Sequence, residues 1–289
     1  MNLVWKSALV LSLGILGTTV VGFAQMSGTT YGQAKTSGSG VLSFTYMETP
    51  GFAARNPQTG QVEGLCIDIL DDFVAYVKEQ EGISLTYQYK GKDPNDFNAF
   101  LSEVQNGRGG VIGLGNITIT AARQQQYRFT PAFINNVTLM VTNQSAPNLT
   151  DLGSIRSQWN GMKAYAVEGS TNAANLVAIK KQYWPEMEII TLGSSPEVLE
   201  AVVKDSRSFT NLDLTYFMAA TRAGEPIKRH VMGDMAPEEF GLLMPKGSDW
   251  GPVWDRFLTS QYKNSSEFKQ KISKHLGATA LNLLSRVGG

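Results

Sequence analysis

One cysteine and two histidines occur in this chain of 289 residues: Cys66, His230 and His275. A single cysteine excludes an intramolecular disulfide, and so few soft ligands exclude a zinc site of the Cys/His type. No metal site and no cofactor is expected. No Gly-x-Ser-x-Gly elbow is present to carry a hydrolase nucleophile. The glycine-rich stretch GVIGLGNIT has Thr118 where a dinucleotide fingerprint needs its third glycine, and no acid follows about 20 residues later to hold a ribose. Net charge is missing too. Twenty-five Lys and Arg balance twenty-five Asp and Glu, so nothing global favours nucleic acid or an anionic membrane.

A hydrophobic content of 42% and a charged content of 17% describe an ordinary globular chain. Its first residues read as an export signal. Lys6 precedes an apolar run that ends at Gly22 and Ala24, small residues at the positions a signal peptidase reads. Residues 1–24 are therefore expected to be a cleavable signal peptide, an N-terminal anchor being the alternative. Residues 25–40, small and polar, read as a flexible leader.

From there strands alternate with helices. VLSFTYM, ISLTYQY, GVIGLG, LMVTN, MKAYAV, EIITL and EFGLLMP have strand character. Leu65, Ile69, Phe73 and Val77 recur every four residues on one helix, and Phe97, Phe100, Leu101 and Val104 share a face of another. Such alternation predicts βαβ units and an α/β fold with mainly parallel sheets, and the two βαβ groups suggest two lobes.

Acidic residues are absent from two windows, Val104 to Thr150 and Gly169 to Pro185. Each covers a strand, a loop of small polar residues and a helix start. Helix starts attract Asp or Glu because their unpaired N–H groups and the helix dipole favour negative charge. The helix after Ser195, read as its cap, obeys, with Glu197 in its first turn and a Ser194-x-x-Glu197 capping box. The helix after Thr120 instead carries Arg123 in its first turn, and the helix after Asn172 opens with Ala173 and Ala174. An external anion would supply the missing charge. Arg123, with the hydroxyls of Thr118 and Thr120, would then form a carboxylate pocket. The alternative is a solvent-facing Arg123. Arg128, with no cap nearby, reads as a structural or surface residue.

Three stretches carry a family resemblance: GQVEGLCIDIL, NITITAARQQQYRFTPAF, and YAVEGST with EFGLLMPKGS. From about 41 to 277 the chain resembles periplasmic solute-binding proteins of the polar amino acid class (family 3, type II periplasmic binding fold), which feed ABC importers. The resemblance implies two α/β lobes joined by a two-stranded hinge, lobe one from 41–140 and 235–289, lobe two from 141–234. It implies that Arg123 grips a ligand α-carboxylate, that Asn116 and Thr118 line the same wall, and that Ser170 and Thr171 reach across from lobe two. Asp213 stands where the family accepts the ligand ammonium, although the pair usually before it reads Ser208-Phe209 here; capping the next helix is its alternative role. Tyr46 and Phe52 are candidates to stack on the ligand or to fill the core. Asp68 reads as structural, and Cys66 as buried and inert.

The implied protein is a periplasmic monomer that captures an amino acid or small carboxylate and delivers it to a membrane permease, with no nucleic acid partner. A cyclohexadienyl-dehydratase-like enzyme on the same fold would need a carboxylate general acid, for which Glu48 and Glu168 are the candidates. A free ligand-sensing partner of a membrane receptor is the third reading.

Overall fold

The computed structural model describes residues 25–287, so the expected signal segment lies outside the described residues. Helix α1 (Tyr31–Ser37) and strand β1 (Ser39–Tyr46) precede a small hairpin, β2 (Ala54–Arg55) and β3 (Val62–Glu63). Next come α2 (Leu65–Glu81), β4 (Ser84–Tyr89), α3 (Phe97–Gln105), β5 (Val111–Leu114), α4 (Ala121–Gln126) and β6 (Tyr127–Phe129). The long strand β7 (Ile134–Asn143) leads to α5 (Ile155–Gln158), β8 (Lys163–Val167), α6 (Thr171–Tyr183), β9 (Glu188–Leu192) and α7 (Ser195–Lys204). Then follow β10 (Ser208–Asp213), α8 (Leu214–Arg222), β11 (Ile227–Arg229), β12 (Pro237–Phe240) and β13 (Leu243–Pro245). The chain closes with α9 (Gly251–Phe257), α10 (Ser260–Asn264), α11 (Ser266–Leu276) and α12 (Ala278–Val287).

Two sheets organise these elements into an α/β fold of two lobes. The first runs β4-β1-β5-β13-β6, the second β11-β7-β10-β8-β9. In each, strands linked by helical crossovers pair in parallel: β1 with β4 and β5, β8 with β9 and β10. The strands that carry the chain between lobes pair antiparallel. β7 serves both lobes. Its residues 134–137 pair with β12, and 138–143 pair with β10 and β11. The antiparallel ribbon of β7 and β12 is thus the hinge. α12 packs on β7 and α8 as well as on α11, so the last helix, expected with lobe one, leans on lobe two.

Each lobe has its own aromatic centre. In lobe one, Phe73 of α2 stacks on Trp254 of α9 with ring centroids 3.7 Å apart, and Trp250 and Phe257 meet Phe73 edge-on. In lobe two, Trp159 and Trp184 pack on Phe209. Full burial of one such ring stabilises by about 1.5–3 kcal/mol. Asp68 links α2 to α11 by accepting from Lys274 and bonding His275, the structural role read from the sequence. Cys66 is buried, and burial pushes its thiol up to about 12.

The segment 25–40 is not a free leader. Thr30 and Gln33 form a capping box at the start of α1, and the backbone N–H groups of Tyr31 and Gly32 donate to Asp249. Tyr31 packs edge-on against Trp250, and Gly28 bonds Arg108. The small, polar composition concealed a Thr-x-x-Gln box and one aromatic anchor. Two helix starts also move by a residue or two: Ser170 caps α6, and Ser194 caps α7.

Candidate functional site

The site is built where β5 and β10 end and α6 begins at the lobe boundary. Beyond β5, Ile117 is 2% exposed and anchors the loop. In extended chain its neighbours Asn116 and Thr118 therefore face the other way, towards lobe two. Thr49 donates to Asn116 Oδ1 at 3.1 Å and so fixes which end of that amide presents its N–H groups. Those N–H groups cross to lobe two, where Nδ2 donates to Asp213 Oδ2.

Thr120 caps α4 by accepting from the Arg123 N–H. Arg123 then folds back over its own helix start. Its Nη1 donates to the Thr118 carbonyl at 3.0 Å, its Nη2 to the Gly169 carbonyl at 3.4 Å, and its plane lies 5.3 Å from the Phe97 ring centroid. Gly169, at φ 72, takes a left-handed turn that an L side chain resists. The guanidinium is half-buried rather than solvent-facing. Burial lowers its pKa, while Glu238, Tyr127 and Asp213 act in the opposite direction. The five guanidinium N–H groups outnumber these two carbonyl contacts, leaving donors for an anion.

Asp213 occupies the backbone cap position of α8 but makes no side-chain cap bond. Its carboxylate instead accepts from Asn116, from Asn136 at 3.1 Å and from Thr138 at 3.5 Å. Burial, then the nearby charge of Glu238, pushes it up to about 6. Across from Thr118, Thr171 lies within hydrogen-bond distance at 3.2 Å. Ser170 uses its hydroxyl to cap α6 and to reach the Val167 carbonyl.

Between these groups lies a cavity of about 50 Å³, lined on one side by Asn116, Thr118, Arg123 and Phe97 and on the other by Ser170, Thr171, Asn172 and Asp213. It holds only a few water-sized groups. A larger depression of about 520 Å³, between Met26, Lys90, Lys92 and Glu103, lies on lobe one alone, away from the lobe boundary. Its one acid, Glu103, is engaged by Thr45 and by the Lys92 N–H.

Residues 43–281 match the family of bacterial extracellular solute-binding proteins, family 3. The chain belongs to that family. Its two lobes and hinge are the type II periplasmic binding fold. No curated protein matches the sequence. Among solved structures, the arginine-, lysine-, histidine-binding protein ArtJ from Geobacillus stearothermophilus is similar, at 16% identity over 82% of this chain and 95% of that one, TM-score 0.65. The GluR0 ligand-binding core from Nostoc punctiforme, in complex with L-glutamate, is 15% identical over 82% and 99%, TM-score 0.63. AncCDT-1, an ancestral amino acid-binding protein and precursor of cyclohexadienyl dehydratase, is 17% identical over 82% and 95%, TM-score 0.63. At these identities the likeness is one of fold.

Six of the residues singled out in the sequence of this solute-binding protein line the cavity: Asn116, Thr118, Arg123, Ser170, Thr171 and Asp213. Two do not. Phe52 packs edge-on between Phe133 and Phe240, and Tyr46 sits among Phe44 and Tyr89, both wholly buried. Thr120 is used as a cap and does not line the cavity. Glu48 binds the Arg55 N–H and Glu168 is exposed, and neither lines the cavity. Sequence reading missed Asn172 and Glu238. Asn172 stood inside an acid-free window and was the more legible. Glu238 stands beside the exposed Glu239 with no local signal to tell the two apart, and the register of β12 on β7 turns it inward.

Proposed function

We propose that this solute-binding protein captures an α-amino acid between its lobes and delivers it, outside the cytoplasm, to an ABC importer. The observation that carries the reading is the placement of unlike charges on one small cavity. The Arg123 guanidinium comes from lobe one and the Asp213 carboxylate from lobe two. A ligand with a carboxylate and an ammonium on one carbon pairs with both, so its binding energy is realised only when the lobes meet. Closure thereby becomes the signal of occupancy that a membrane partner can read. Similar folds solved with glutamate or named for basic amino acids are consistent with this ligand class. The carboxylates a dehydratase would need at Glu48 or Glu168 stand off the cavity, so binding without chemistry is the favoured reading.

Thermal unfolding tests the proposal. The protein is unfolded and refolded to strip ligand, then melted against the proteinogenic amino acids and small carboxylates. At a hundred times its dissociation constant a ligand adds about 2.7 kcal/mol, a shift of roughly 5–10 °C for a chain of this size. One strong hit among α-amino acids supports the reading and names the solute. Equal shifts from carboxylates lacking the amine would remove Asp213 from the ligand, and no shift from any amino acid would overturn the proposal.

A further inference from the structure

Behind Asp213, two hydroxyl hydrogens serve several acceptors. Glu238 of β12 pairs directly with Asn136 of β7, and Asp213 of β10 pairs with Thr138 of β7. Side chains of directly paired residues share a face of the sheet, so three strands place Asn136, Thr138, Asp213 and Glu238 together. The single hydroxyl hydrogen of Thr138 has three acceptors in reach: Glu238 Oε2 at 3.3 Å, Asp213 Oδ1 at 3.5 Å and Asn172 Oδ1 at 3.5 Å. Thr118 offers one more hydrogen, shared between Glu238 Oε2 at 3.1 Å and Thr171 at 3.2 Å. Asn136 is fully buried, and its Oδ1 accepts nothing. Among the described residues, the hydrogen bonds to these two carboxylates come from the neutral amides of Asn116 and Asn136 and the hydroxyls of Thr118 and Thr138.

We infer that Glu238 is a positioning residue that sets the polarity of this end of the site, making it an acceptor-only subsite for the ligand ammonium. The inference rests on the amino acid reading above and deepens it. A carboxylate accepts and never donates when ionised. By taking the Thr118 and Thr138 hydrogens, Glu238 leaves those hydroxyl oxygens with lone pairs to offer. Thr118, expected to serve the ligand carboxylate, then belongs to the ammonium end, beside Asp213. An ammonium brings three donors to a cluster that lacks them. Its charge lies between two carboxylates whose mutual repulsion it relieves. Because Glu238 stands on the hinge ribbon, the same contact ties the ligand to the strand about which the lobes move.

The test compares the wild-type protein with Glu238→Gln, and with Glu238→Ser should the first variant fold poorly. Probes are the proteinogenic L-amino acids, then the deamino carboxylate of whichever binds, titrated by calorimetry and at millimolar concentration by thermal shift. The expected result is a 10- to 100-fold loss of amino acid affinity, with the affinity of the deamino carboxylate unchanged or slightly raised. Equal loss for both probes would overturn the inference by showing a merely structural hinge role. An unchanged amino acid affinity would overturn it while leaving Arg123 and Asp213 as the binding pair. Failure of the wild type to bind any amino acid would overturn the underlying reading and the inference with it.

Discussion

Asn116 of lobe one donates its side-chain amide to the carboxylate of Asp213 in lobe two, and this bond crosses the cleft at the cavity. Thr49 holds the other end of the same amide. The strength of this contact depends on the charge of one acid, because an ionised carboxylate accepts more strongly than a neutral one. Among the described residues, the charges that line the cavity are Arg123 and Asp213, one from each lobe.

Removing the guanidinium should therefore abolish most binding. Arg123→Ala leaves a ligand carboxylate unpaired in a closed cleft, at a cost of about 2–5 kcal/mol. That is a loss on the order of 30-fold to several thousand-fold by calorimetry. Arg128 is the control, since it pairs with Asp255 at the surface and such pairs contribute about 0–1 kcal/mol. Arg128→Ala should bind as the wild type does. Equal losses in the two variants would count against the carboxylate pocket.

Ligand affinity should also follow the protonation of Asp213. Its carboxyl is pushed up to about 6 by burial and by Glu238, while Asn116, Asn136 and Asn172 act in the opposite direction; Arg123 is the cation that faces it. An ammonium needs the ionised form. Amino acid affinity should hold above pH 7 and fall by up to about tenfold per unit below pH 6. The deamino carboxylate should show no such fall. A flat amino acid profile from pH 5 to 8 would remove Asp213 from ammonium recognition.

The same raised pKa predicts a stability gain when Asp213 is neutralised. Between its ordinary value of 3.8 and about 6 the folded state binds more protons than the unfolded state. Stability without ligand therefore drops as pH rises through that window. Asp213→Asn should raise the stability of the ligand-free protein by on the order of 1 kcal/mol at pH 7.5 and by much less at pH 5, while weakening amino acid binding. Denaturant melts at the two pH values decide it, and a variant destabilised at pH 7.5 would contradict the strain assigned to this acid.

His230 has the opposite consequence. The Leu149 N–H donates to its Nδ1 at 3.1 Å, so Nε2–H donates to the Thr142 hydroxyl at 2.7 Å. That is the neutral ring, and burial, then Lys228, pushes it down to about 4. The unfolded state takes up the proton first as pH falls below 6.5, and stability of up to about 3 kcal/mol is lost between there and pH 4. His230→Asn, whose amide can both accept from Leu149 and donate to Thr142, should melt less steeply with acid than the wild type. Parallel pH profiles for the two proteins would exclude His230 as a source of acid lability.

Much of this site was legible in one dimension because its signal is an absence. A helix start without an acid, carrying Arg123 instead, is anomalous by local rules alone, and Arg123 lines the cavity while Thr120 serves only as the cap. The leader was misread for the converse reason: a single capping box and Tyr31 are too little signal inside a run of Gly, Ser and Thr, yet Trp250 and Asp249 hold them. Tyr46 and Phe52 show a third limit, since an aromatic side chain near a site and one in the core look alike in sequence.

The sequence by itself determined the alternation of strands and helices, the lack of residues for a disulfide or a Cys/His zinc site, and the acid-free helix start that carries Arg123. These follow from periodicity, composition and local electrostatics, which act over a few residues. Only the tertiary structure decided that Asp213 turns from its helix cap towards Asn116, and that Glu238 rather than Glu239 faces inward. Those choices depend on strand register, in which a shift of one residue exchanges the two faces.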